Sequence, residues 1–227
     1  MRNKKHAAAI SAALALVLLL TAALSGCGRS SSPAKPEEPA PSSEPVSTAA
    51  LVETPEAVAD TGRQDGERFE DVIILEGMEE TVHYEHVRNE ALGFEMDYDY
   101  ELFVRQSGSD WECFVSIWDK PEAPENYLEL TRSAEDVETV AASVRAALSQ
   151  EYELLEGTRE LERAGSCLRI EASVIKGTNQ MADQLQAVYI IPASDGCRVA
   201  TAHYAAEAAE GFGRRFSYML NTLTVLG

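Results

Sequence analysis

From Asp71 onward, apolar and polar positions alternate in short runs broken by Gly, Asn, Asp and Ser, the period-two signature of half-buried strands. Asp71 to Leu75 and Thr81 to Val87 read as partners across Gly77, followed by strands at Leu92 to Tyr98 and Leu102 to Arg105. Trp111 to Trp118 is the strongest run. Trp111, Cys113, Val115 and Ile117 share one side while Phe114 and Trp118 take the other, which predicts a central strand covered on both faces. Tyr127 to Leu130 adds a short strand. The period then lengthens: Val137, Val140, Ala141, Val144 and Leu148 mark one face of a helix of about four turns, opened by Ser133 with Glu135 and Asp136 in its first turn. Leu154 to Arg163, Cys167 to Ile175, Leu185 to Ile191 and Arg198 to Ala205 are the next strands. The turn residues Gly165-Ser166, Gly177-Thr178-Asn179 and Ser194-Asp195-Gly196 between them predict an antiparallel meander. Phe212, Phe216, Met219, Leu220 and Leu223 mark a closing helix that starts loosely at Gly211 and Gly213.

The amino-terminal pattern is different in kind. Arg2, Lys4 and Lys5 precede an apolar run from Ala8 to Leu24, and small residues follow it, which is the order of a secretory signal. Leu24-Ser25-Gly26-Cys27 resembles the bacterial lipobox. The resemblance implies that Cys27 becomes the first residue of the mature chain and carries a thioether-linked diacylglycerol with fatty acyl chains of the palmitate kind. An ordinary signal peptide and an uncleaved anchor are the alternatives, although the run is barely long enough to span a bilayer. Each buried CH₂ contributes roughly 0.8 kcal/mol, so two or three acyl chains make a stable anchor without a spanning helix.

Gly28 to Gly66 is rich in Ser, Pro, Glu, Ala and Thr and too poor in apolar residues to fold, so it predicts a disordered tether. Its mean span is on the order of 35 Å. The expected organisation is a signal peptide over 1–26, a lipidated cysteine and tether over 27–66, and a single globular domain over 67–227. That places the domain at the cell membrane, lipid-anchored on the extracytoplasmic face.

Charge narrows the partners. The chain has 38 acidic residues against 19 Lys and Arg, and removal of Arg2, Lys4 and Lys5 leaves 16 basic residues and a balance of −22. A body this acidic is repelled by nucleic acid and by anionic head groups, which argues against nucleic-acid binding.

The order of elements, with Leu92-Gly93-Phe94-Glu95-Met96-Asp97-Tyr98, the Trp-containing strand, a helix, a strand meander and a C-terminal helix, resembles the Mog1/PsbP-like domain. The resemblance implies an α+β fold in which an antiparallel sheet of about six or seven strands lies between helical layers. It also implies scaffold or partner-binding roles rather than catalysis, and it supplies no catalytic residues.

Candidate chemistry is sparse. Cys113, Cys167 and Cys197 are an odd number, so at least one is unpaired outside the cell. Cys167 and Cys197 open the second and fourth strands of the expected meander, roughly 9 to 10 Å apart, beyond the approximately 7 Å a disulfide spans. All three read as small core or turn residues, with a disulfide or a nucleophilic thiol as the alternatives. His83 and His86 are three apart on a strand and point to opposite faces, so they read as solvated or edge histidines rather than a metal pair, while His203 reads as packed. Glu95, Asp97, Asp99 and Glu101 alternate on one side and read as a solvated face, with calcium binding as the sharper alternative. Arg214-Arg215 reads as a surface pair bonded to acids, or as a docking spot.

No cofactor, metal site or catalytic constellation is expected. The leading function is a non-enzymatic domain that binds a protein or a cell-envelope component. The alternative is a small-ligand or cation receptor with a pocket near Trp118, Tyr127 and the acidic strand.

Overall fold

In a computed structural model, residues 62–227 are described, apart from Glu76 and Pro121. Leu24, Ser25, Gly26 and Cys27, and most of the expected tether, lie outside the described residues.

Two antiparallel sheets make the body. The chain begins with the hairpin β1 (Arg68–Leu75) and β2 (Met78–Asn89), turned at Gly77, whose φ of +81° suits glycine, and then adds β3 (Phe94–Asp99). It leaves for a second sheet with β4 (Phe103–Ser107), β5 (Trp111–Ser116) and β6 (Tyr127–Ser133). Helix α1 (Val137–Leu148) follows, then β7 (Tyr152–Leu161), β8 (Gly165–Ile175), β9 (Gln180–Ala193) and β10 (Gly196–Ala205). Short 3-10 and π turns lead into helix α2 (Arg214–Asn221), and β11 (Thr224–Val225) returns to pair with β3. The strand orders are β1-β2-β3-β11 and β4-β5-β6-β10-β9-β8-β7.

The four-strand meander β7 to β10 forms as its turn residues predict, each strand antiparallel to the one before. Helix α1 covers one face of the large sheet, setting Val140, Ala141 and Val144 against Ile170, Val188, Ile190, Cys197 and Val199. The helix is shorter than expected and begins later. Asp136 is the N-cap and accepts the Thr139 N–H at 2.9 Å, while Ser133 accepts the Glu135 N–H in a separate turn before it.

The other face of the large sheet departs from the single sheet between helical layers that the resemblance implies. The small sheet packs there, and Phe94, Met96 and Tyr98 meet Phe114, Leu128, Leu130 and Ala200 in the main core. Alternation along a strand reports which residues point inward, and it is silent on whether a helix or another sheet meets them. Helix α2 fills the remaining space. Phe216, Met219 and Leu220 enter the core, while Thr222, just past its end, accepts the Asp97 N–H at 2.8 Å on the edge of β3 that β11 does not reach.

Candidate binding surface

The acidic strand is where structure and sequence part most clearly. Glu95, Asp97 and Asp99 do share a side, but they are 1 %, 1 % and 4 % exposed rather than solvated. A basic side chain meets each one. Arg88 Nη1 donates to Glu95 at 2.8 Å, His86 Nδ1 to Asp97 at 2.7 Å, Arg63 lies 3.4 Å from Asp97, and Arg215 donates to Asp99 at 3.1 Å. Burial pushes the Asp99 carboxyl above its ordinary range, against the pull of Arg215. Glu101 alone stays exposed, beside His83. No three His, Cys, Asp or Glu side chains among the described residues converge as a metal would require.

The remaining candidates are dispersed. His83 and His86 point to opposite faces as strand geometry demands, but His86 is fully buried rather than solvated. His203 packs as expected, stacking on Tyr127 with ring centroids 5.1 Å apart and donating from Nδ1 to the Glu125 carbonyl at 2.9 Å. Cys113, Cys167 and Cys197 are free and buried. Burial raises all three thiols, Cys167 to about 11, which removes the thiolate that nucleophilic chemistry needs. Arg215 is drawn inward between Asp99 and Glu80, so the doubled arginine is divided by depth.

Among the described residues, exposed apolar side chains lie on the β1–β2 hairpin (Val72, Ile74, Met78), at Leu155 and Met181, and at the corner formed by β4 and the end of β5, which carries the only exposed tryptophan. Strand β5 stops at Ser116, two residues short of the expected end, so Trp118 is 69 % exposed instead of packed on a sheet face. Ile117, next to it in the chain, is half exposed, and so is Val104, which pairs with Val115 on β5. The loop under Trp118 is braced: Asp119 accepts the backbone N–H groups of Glu125 and Asn126 and the Asn126 side-chain amide, and Asn126 in turn accepts the Ala205 N–H. Phe212 supports the indole edge-on, with ring centroids 6.0 Å apart. The acidic strand is not part of this corner, and two shallow clefts among the described residues, about 330 and 320 Å³, lie at β7–β8 and beside α2.

On the large sheet, Glu129 sits beside Cys113 and Tyr127 with no hydrogen-bond or ionic partner among the described residues, and desolvation raises its carboxyl, with Asp110 adding to the effect. A raised carboxyl binds its proton more tightly folded than unfolded, so stability falls as pH rises from the ordinary glutamate value through the raised one. Glu129→Gln is therefore expected to raise the melting temperature at pH 7. Its advantage over the native chain should vanish as pH falls below that window, which a pair of thermal melts at each pH checks.

No family model matches the chain, and no curated protein does. Solved structures do. The chain is similar to PsbP (CyanoP) from Synechocystis sp. PCC 6803, at 12 % identity over 63 % of this chain and 92 % of that one, with a TM-score of 0.45. It is also similar to LpqN of Mycobacterium tuberculosis, described as involved in cell envelope biogenesis, at 9 % identity over 73 % and 88 %, with a TM-score of 0.32.

Proposed function

We propose that the chain is a lipid-anchored extracytoplasmic domain that holds a protein partner through the Trp118 corner and performs no catalysis. The exposed indole on a hydrogen-bonded loop carries this reading. A large aromatic held rigid before binding loses little entropy on docking, which is the character of an interface anchor. Ile117 adds exposed apolar surface next to the indole in the chain, and Glu122 and Glu125 lie exposed on the same loop. The complementary partner is a protein with an apolar pocket rimmed by Lys and Arg. The lipobox and the proline-rich segment support the anchor: Cys27 fixes the domain to the membrane and the residues after it give reach.

Two substitutions test the proposal in the native host. Cys27→Ser should shift the mature chain out of the membrane fraction. A photocrosslinking residue at position 118 should capture one protein, with the adduct lost on Ile117→Asp and absent from a probe at Glu138 on α1. Against that captured protein, Trp118→Ala should weaken binding by about 2 kcal/mol or more. Capture of the same protein from both positions, or of none, would overturn the docking surface, and membrane retention of the serine variant would overturn the anchor.

A further inference from the structure

A second surface carries chemistry that the docking reading does not use. In the β7–β8 ladder Gly157 stands opposite Arg169, and a side chain at Gly157 would meet no atom within 4 Å. That missing side chain leaves room in the 330 Å³ cleft, lined by Leu155, which is 64 % exposed, by Glu156 and Thr158, and by Arg159 and Arg169; the Glu156 carboxylate is held by Arg145 of α1. Both guanidiniums are fixed. Arg159 Nη1 and Arg169 Nε each donate to the buried Tyr189 hydroxyl at 3.3 Å, with their centres 5.4 and 5.8 Å from its ring, and Arg159 also bonds Ser217 of α2.

The charge balance at this point runs against the rest of the molecule. In a chain with 38 acidic residues and 19 basic ones, arginines such as Arg68, Arg88, Arg105 and Arg145 close on carboxylates. Arg169 does so with Glu171. Arg159, directed at the same phenol oxygen, has no ionic partner among the described residues. Two like charges are thus held on one oxygen beside an open cleft, with Glu171 engaged by Arg169 and Glu156 engaged by Arg145. Strand β7 is also the outermost strand of its sheet, so alternate backbone N–H groups along it face away from β8.

We infer that this cleft is an oxyanion site: a carboxylate or phosphate group binds between Arg159 and Arg169, and the apolar flank of the same ligand lies over Gly157 against Leu155. The planar guanidinium fork fits either group through paired hydrogen bonds. The inference stands independently of the partner surface at Trp118, which lies on other strands.

The test is thermal unfolding of the full chain in detergent micelles at fixed ionic strength, replacing sodium chloride stepwise with inorganic phosphate or with N-acetylglutamate. A ligand that prefers the folded state raises the melting temperature in a saturable way. A saturable rise with phosphate alone, with N-acetylglutamate alone or with both identifies the group and supports the site. Arg159→Gln should weaken that response at least tenfold. Gly157→Val should do the same while leaving both charges in place, and it suits a strand whose open face has room for it. No saturable rise with either anion, or an equal rise in both variants, would overturn the site.

Discussion

Replacing Gly93 with alanine is expected to cost about 2.5 to 5 kcal/mol, the sum of two separable effects. Gly93 sits at φ +70°, where an alanine side chain costs roughly 1 to 2 kcal/mol. Its carbonyl accepts Arg198 Nε and the Leu226 N–H, each at 3.0 Å, so the turn ties the small sheet to the large one and to the C-terminal strand. Arg198 is 1 % exposed on β10, its guanidinium held by Asp195 at 2.8 and 3.3 Å. A Cβ at Gly93 would overlap Arg198 Nη2 and come within 2.9 Å of Cζ. The arginine must move, and a buried charged hydrogen bond worth about 1.5 to 3 kcal/mol goes with it. Urea denaturation reads the total. Gly77→Ala is the control, because Gly77 has a similar φ of +81° and open space around it, so it registers the conformational cost alone. Equal costs at the two positions would mean that Arg198 is not wedged beneath Gly93.

Arg198 also shows where the sequence is legible and where it is not. The alternation that defines β10 puts Arg198 on the same side as Ala200 and Ala202, a face that is core. A single strand cannot announce that an arginine in its inward register will find a carbonyl on another sheet. The strands β7 to β10 were legible because turn residues separate neighbours in space, and α1 and α2 because their apolar stripes repeat at helical spacing. The split into two sheets was not, since it depends on where β4 pairs after the chain leaves β3. The partner corner was half legible. Trp118 stands out in the sequence, yet its exposure follows from β5 ending at Ser116 and from the bonds of Asp119 to a loop six and seven residues away. The Arg159 cleft left a usable signal, a glycine within an otherwise regular strand, which marks either close approach or open space.

The acidic strand supplies the sharpest contrast between the two readings. A solvated Asp97 could be replaced with a change inside about 0.5 kcal/mol. With its side chain 2 % exposed and set between His86 and Arg63, it should instead behave as half of a buried ionic pair, and Asp97→Ala is expected to cost about 3 to 5 kcal/mol. Most of that loss comes from what is left behind. His86 is wholly buried, its Nε2 already lacks a hydrogen bond and lies 3.9 Å from Glu95, and without Asp97 its Nδ1–H would lose its acceptor as well. The loss should therefore shrink when the histidine is removed too. In a double-mutant cycle of Asp97→Ala and His86→Leu, the double variant should be more stable than the sum of the singles predicts by about 0.5 to 3 kcal/mol. Glu101→Ala, at an exposed carboxylate on the same run of alternating acids, gives the surface reference of about 0 to 1 kcal/mol. An Asp97→Ala cost no larger than that of Glu101→Ala would return the strand to the solvated face its alternation suggested. Additive losses at Asp97 and His86 would show that the two side chains are stabilised separately.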